Sequence, residues 1–216
     1  MKNTKIYLFF TFLFISILLG CSQKPKTLTT LNDKIYEQYK NGFKKNFINQ
    51  FPEKKKAWDT YIIFTEDIQD HKTSLFLYDY NLHKEELLRV KNIINTSITK
   101  YIPKDSCLLI VNRFDYLDLN GVVKTKKIDT NLVKRNCYVG KYPIPNFLDY
   151  KGSEGQPMKL SENYTIYVLE AKAGEYDDNF KMKPNKQMPK KWEHGYSKGI
   201  ALNEKDKEII YWSIMW

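Results

Sequence analysis

The architecture of this chain follows from one segment, Ile200-Ala-Leu-Asn-Glu-Lys-Asp-Lys-Glu-Ile-Ile-Tyr-Trp-Ser-Ile-Met-Trp216. Polar residues 203–207 separate two apolar stretches, which predicts a β-hairpin. Because successive side chains of a strand face opposite sides, the second strand has two apolar faces. One carries Ile210, Trp212, Ile214 and Trp216, and the other carries Ile209, Tyr211 and Met215. We therefore expect the last strand to lie inside a sheet that is covered on both faces.

Further strands are predicted upstream of this hairpin. The apolar stretches are Tyr61–Phe64, Thr73–Tyr80, Leu108–Val111 and Tyr164–Lys172. Between Leu117 and Val122 lies Asn120-Gly121, and Asn-Gly is the strongest short hairpin signal because both residues tolerate positive φ. Several neighbouring strands should therefore pair in antiparallel fashion.

Two amphipathic helices are predicted as well. Apolar residues recur every four positions at Leu31, Ile35, Tyr39, Phe43 and Phe47, and Pro52 ends that pattern. A second helix is expected from Leu82 to Lys100, with a buried face formed by Leu87, Val90, Ile94 and Ile98. The Pro- and Gly-containing stretch 137–161 and the polar stretch 174–195 should be irregular. Together these elements predict one α+β domain over residues 31–216, with a mainly antiparallel sheet.

The first residues have the pattern of a secretory signal peptide. Lys2 and Lys5 precede an apolar run over residues 6–19 that is too short to span a bilayer comfortably. The run leads into Leu18-Leu19-Gly20-Cys21, which resembles the lipobox of bacterial lipoproteins, with Leu19 where that family usually carries a smaller residue. The alternative is an ordinary signal peptide or an uncleaved anchor helix.

The lipoprotein resemblance implies a location and a modification. Residues 1–20 would be removed, Cys21 would carry the lipid, and residues 21–30 would form a tether. Two acyl chains suffice for stable anchoring, so the membrane is the first expected partner. Ser22 in place of an acidic residue indicates sorting to the outer membrane of a bacterial cell envelope.

Charge limits the other partners. The net charge is +10, or +8 without the two lysines of residues 1–21. The positive charge comes almost entirely from lysine, whereas bidentate recognition of phosphate and guanine favours arginine. We therefore expect no nucleic-acid partner. The lysines indicate either a solvated basic surface or contact with an anionic or protein partner.

Motifs for catalysis and metal binding are missing from the sequence. His71, His83 and His194 form no metal-ligand spacing, and Asp115 to Lys127 does not fit a calcium loop. We expect no metal, no cofactor and no assignable catalytic residue. The carboxylates Glu162, Glu170 and Glu175 could only act as a glycosidase-like pair if the fold brought two together. Cys107 and Cys137 are a disulfide candidate in an oxidising envelope, the alternative being two buried thiols.

One cluster near the end of the polar stretch is a candidate binding site. Trp192, His194 and Tyr196 combine two aromatic rings with a titratable imidazole beside Gly195. The alternative is that both rings only anchor the stretch on the core. The tail from Trp192 to Trp212 also resembles the ends of envelope lipoproteins of Bacteroidota-type bacteria, a resemblance that implies no activity.

These observations predict a membrane-anchored envelope protein that binds a partner without catalysis. It could be an immunity-type lipoprotein that blocks a toxin or a subunit of an envelope complex. The alternative is an envelope hydrolase that acts on polysaccharide or peptidoglycan.

Overall fold

The C-terminal hairpin lies at the centre of the protein. The computed structural model describes residues 26–54, 60–67, 72–80, 82–117, 123–147, 160–176 and 182–216. In it β10 (Glu208–Met215) pairs with β9 (Gly195–Asn203) on one side and with β2 (Lys72–Asp79) on the other, both in antiparallel fashion. The prediction of an interior last strand is therefore confirmed.

Six strands form the main sheet, in the order β1-β2-β10-β9-β8-β3. Their bounds are Thr60–Asp67 for β1, Lys72–Asp79 for β2, Thr99–Tyr101 for β3, Thr165–Ala173 for β8, Gly195–Asn203 for β9 and Glu208–Met215 for β10. All neighbours in this sheet are antiparallel. Together with the helices, this confirms the predicted α+β fold class.

Helices cover one face of the sheet. They are the part of α1 (Lys26–Asn41) that follows Ile35, α2 (Lys45–Ile48) and α3 (Lys84–Ile94). Tyr36, Phe47 and Val90 from these helices pack in one apolar cluster with Ile200 and Tyr211 of the sheet. The compact unit that holds this cluster spans residues 36–216, and a separate unit ends at Ile35.

Irregular chain covers the opposite face. Its short elements are β4 (Ile110–Val111), β5 (Asp115–Leu117), β6 (Val123–Thr125), α4 (Thr130–Val133), β7 (Ile144–Pro145) and two 3₁₀ turns, Asn136–Tyr138 and Lys190–Trp192. Leu108, Ile144 and Phe147 pack there against Ile166 and Trp212. The strands that flank Asn120-Gly121 pair as predicted, while the turn itself lies outside the described residues.

The predicted helix bounds were wrong at three places. The second helix ends at Ile94 instead of Lys100, and Thr99 begins a strand, which agrees with the β-preference of the Thr- and Ile-rich sequence 96–99. Ile98, expected on a buried helix face, is exposed. The first helical stripe is broken at Gly42, so Phe43 and Phe47 do not continue α1. That helix also begins at Lys26, within the stretch expected to be tether.

A contact between β9 and β10 needs a glycine. Gly199 lies opposite Trp212 in the antiparallel register. A Cβ atom at position 199 would meet the carbonyl oxygen of Tyr167 and would lie 2.5 Å from the Trp212 ring. Only glycine therefore lets the fully buried indole lie flat against the neighbouring backbone.

None of the helices among the described residues is long and apolar enough to cross a membrane. The expected signal peptide, Cys21 and the first residues of the tether lie outside those residues.

Candidate functional site

The structure separates the three residues of the aromatic cluster. Trp192 is buried on the irregular face, where its ring lies 6.4 Å from that of Trp216. The indole nitrogen of Trp216 donates a 2.8 Å hydrogen bond to the carbonyl oxygen of Trp192. This contact anchors the polar stretch on the core.

Tyr196 faces the helices on the other side of the sheet. Its ring makes edge-on contacts with Phe47 at 4.8 Å and with Tyr176 at 4.6 Å between centroids. His194 lies half-buried between the two aromatic positions, and its Nδ1 has no hydrogen-bond partner among the described residues. Trp192, His194 and Tyr196 therefore do not line one common surface.

Glu170 is the centre of a charged cluster on the helical face. Its carboxylate lies 2.8 Å from Lys172 Nζ and 3.2 Å from Lys198 Nζ, and it accepts a 2.5 Å hydrogen bond from the Tyr196 hydroxyl. The buried Lys198 also donates to the carbonyl oxygen of Asn46 and to Asn49 Oδ1. The cluster ties β8 and β9 to the segment around α2.

Opposing effects set the pKa of the Glu170 carboxyl. Desolvation raises its pKa, but hydrogen bonds from Lys172, Tyr196 and Lys198 outweigh burial and lower it to about 2. Burial and the neighbouring Glu170 raise the pKa of Tyr196 to about 12. Glu170 is thus held ionised at neutral pH, the opposite of what a general acid requires.

The other two carboxylates considered for a hydrolase do not join Glu170. Glu162 and Glu175 are both exposed. Among the described residues, no ion pair or hydrogen bond links either of them to Glu170 or to the ring of His194. The sequence alone could not show which of the three carboxylates is held in a charged cluster, because that depends on the tertiary contacts of Glu170.

A second charged cluster joins α3 to the central strand. Glu86 is buried and pairs with Arg89 at 2.6 Å, while the Tyr211 hydroxyl donates a 2.5 Å hydrogen bond to Glu86 Oε1. Arg89 also donates to the carbonyl oxygen of Gln50. Burial and Glu86 raise the pKa of Tyr211. These contacts connect the helix to the sheet.

Cys107 and Cys137 form a disulfide in the structure, with their Cα atoms 6.0 Å apart. The bridge connects the loop that follows β3 to the 3₁₀ turn Asn136–Tyr138. A hydrogen bond of 2.6 Å from Arg135 Nη1 to the carbonyl oxygen of Ser106 joins the same two segments. Both segments are therefore held in place at the edge of the sheet.

A groove of about 590 Å³ opens beside this bridge. We call it the edge groove, and its lining residues are Thr99, Lys100, Tyr101, Ile102, Asp105, Val139, Gly140, Lys141, Thr165 and Tyr167. Val139 is 88% exposed and Ile102 is 45% exposed. Lys141 pairs with Asp105 at 3.2 Å and lies 5.1 Å from the centre of the Tyr101 ring. The sequence did not predict this site, since its residues come from three distant segments.

A second groove, of about 500 Å³, lies along the polar stretch and is lined in part by Lys183 and Lys186. The amides in its wall are used inside the protein. Gln187 donates to Asp115 at 2.7 Å and Asn185 donates to Asn112 at 2.9 Å. The buried Asp115 carboxylate beneath the wall offsets part of the lysine charge, so this groove is the weaker candidate.

No group of three or more potential ligands that could hold a metal ion occurs in the part of the chain that the structure describes. Comparison of the chain with protein-family models, with curated proteins and with solved structures finds no match.

Proposed function

We propose that the chain is a lipid-anchored protein of the bacterial cell envelope that works by binding a partner protein. The proposed anchor rests on the pattern of residues 2–21, in which a basic start and a short apolar run lead to Gly20-Cys21. An immunity-type protein and a subunit of an envelope complex both fit this description.

The observation that carries the binding role is the edge groove. Val139 and Ile102 place exposed aliphatic surface beside one another in the groove, and a concave site that combines apolar side chains with a few polar groups is typical of an interaction site. The disulfide and its neighbouring hydrogen bonds hold the rim, so a partner would meet a largely preformed surface.

The state of Glu170 supports binding over hydrolysis. A glycosidase-like site needs one protonated and one ionised carboxyl group near each other. Glu170 is ionised by its lysine partners, and Glu162 and Glu175 stand apart from it in solvent.

The anchor is tested by growing cells with radiolabelled palmitate. The full-length protein should carry the label, and Cys21→Ser should lose it. Ser22→Ala serves as the matched control and should keep the label. Full labelling of Cys21→Ser would contradict the proposed attachment site.

The binding role is tested on tagged protein solubilised gently from its native membrane. A stoichiometric protein partner should be recovered with it. Purified protein should release no soluble fragments from cell-wall polysaccharide or peptidoglycan. Release of fragments that Glu170→Gln abolishes would instead support the hydrolase alternative.

A further inference from the structure

We infer that the edge groove docks a segment of a partner protein in which an apolar side chain is surrounded by acidic residues. This inference rests on the proposed binding function and assigns its location and the chemistry of the partner.

The apolar centre of the site consists of Ile102 and Val139. Val139 lies between the buried Tyr138 and Gly140, whose φ of 76° turns the chain away. The turn therefore presents the valine outward while its neighbour is fixed in the core. Exposed aliphatic surface on a rigid support can be removed from water by a partner at little cost in conformational entropy.

Four contacts hold the rim. Besides the Cys107–Cys137 bridge and the hydrogen bond from Arg135, Lys141 pairs with Asp105, and the backbone N–H of Tyr142 donates to the Tyr101 hydroxyl at 2.9 Å. Little conformational freedom remains to be lost when a partner binds.

The charge around the centre selects an acidic partner. Lys100 lines the groove and Lys104 lies two residues beyond Ile102, and both are exposed. Asp105 is the only carboxylate among the described residues that line the groove, and its charge is already matched by Lys141. Lysines beside a groove that have no ion-pair partner among the described residues favour acidic residues opposite them and speed association.

The edge strand itself argues against addition of a partner strand. β3 has only three residues, carries Lys100 and is followed closely by Pro103. Short length, lysine and proline are features that protect sheet edges from pairing. The partner is therefore expected to dock through side chains in the groove.

The test places a photo-reactive amino acid at position 139 of the tagged full chain in its native cells. Position 123 is the matched control, because Val123 is also an exposed aliphatic residue but does not line the groove. Cross-linking at 139 should yield a partner peptide of net negative charge with at least one large apolar residue, whereas position 123 should not yield it.

A synthetic copy of that peptide then measures affinity for the purified protein. Val139→Glu and the double variant Lys100→Glu/Lys104→Glu should each weaken binding at least tenfold, and Val123→Glu should leave it unchanged. Val139 has extended backbone angles and no packing to lose, so Val139→Glu should keep the melting temperature of the parent.

Failure of the groove, of the partner chemistry and of the binding function would each give a different result. If a partner is recovered with the tagged protein but Val139→Glu binds it normally, the edge groove is wrong and the binding function stands. If the cross-linked product is lipid, a second copy of this chain or a basic peptide, the proposed partner chemistry is wrong. If gentle solubilisation recovers no partner, the binding function itself fails.

Discussion

The two faces of the sheet are covered in different ways. Helices cover one face, and two charged clusters, around Glu86 and around Glu170, connect those helices or their flanking residues to the strands. Irregular chain covers the other face, where a disulfide and hydrogen bonds donated by side-chain amides, one of them to the Asp115 carboxylate, hold the loops. A regular element needs few extra contacts, because its own backbone hydrogen bonds keep its shape. A long irregular cover needs cross-links between segments far apart in sequence.

The two regions also differ in their proposed roles, since the helical face is structural and the edge groove is the proposed binding site. The charged side chains of the helical face satisfy one another, whereas the exposed apolar side chains of the edge groove have no such partners. Loops that a scaffold holds in place commonly carry binding residues, and here the disulfide supplies part of that scaffold.

Deletion of residues 211–216 should have the largest effect, because β10 is shared by both faces. Removal of Trp212 and its neighbours takes away a central strand and exposes both cores. We expect no cooperative thermal transition by circular dichroism and no soluble monomer. A truncated protein that still melts cooperatively would show that the two covers can hold the remaining sheet together without their common strand.

Removal of the disulfide should affect the irregular face most. Cys107→Ala/Cys137→Ala opens a loop with a sequence separation of 30 residues, which should lower the free energy of unfolding by about 3–4 kcal/mol in the chain-entropy model. Hydrogen exchange should accelerate more in residues 102–147, which also open locally, than in α3, where only the loss of global stability acts. Chemically reduced parent protein is the control and should behave like the variant. Equal acceleration of exchange in α3 and in residues 102–147 would show that the disulfide does not stabilise the irregular face in particular.

Loss of the Glu86 charge should affect the helical face. Glu86→Gln leaves Arg89 without its ionic partner, and breaking a buried pair commonly costs 3–5 kcal/mol. Because about a third of the Arg89 side chain is exposed and can be hydrated, we expect a loss of about 2 kcal/mol in urea unfolding. Glu85→Gln, one residue away and exposed, should change stability very little. Equal effects of the two variants would mean that the buried pair contributes nothing.

The smallest predicted effect is the contribution of Glu170 to the pH dependence of stability. The pKa of Glu170 falls from an ordinary 4.5 to about 2 on folding, so its contribution is fully present above pH 4.5 and is lost as the pH falls toward 2. Solvent screening limits it to about 1 kcal/mol. Glu170→Gln should flatten the stability profile between pH 4.5 and pH 2, while the exposed Glu175→Gln should not. If stability depended on pH in the same way in Glu170→Gln, this cluster would not contribute to the stability of the helical face.

The regular elements were predictable where a single pattern governed them. Alternating apolar residues located β10, and polar residues 203–207 located its turn. The helix end at Ile94 was missed because the stripe Leu87, Val90, Ile94 and Ile98 has helical spacing beyond the point where the chain becomes a strand. Local periodicity contains no information about β8, the strand with which Thr99 pairs.

The candidate site was not predictable for a related reason. Trp192 and Tyr196 are close in sequence but lie on opposite faces, since Tyr196 belongs to a strand and Trp192 precedes it. Ile102 and Val139 are far apart in sequence and line one groove. Exposure of an aliphatic residue depends on what the rest of the fold leaves uncovered, and a single sequence does not encode that directly.

Gly199 also constrains how this protein can evolve. Any side chain at position 199 would meet the backbone of β8 and the Trp212 ring, so no single substitution is tolerated there. A smaller residue at position 212 would not help by itself, because the clash with the β8 backbone would remain. The backbone of β8 fixes this glycine and the cavity that a smaller residue would leave fixes the buried Trp212, whereas surface lysines can drift freely. Distant descendants of the chain should therefore share this pair long after their charged surfaces have ceased to resemble one another.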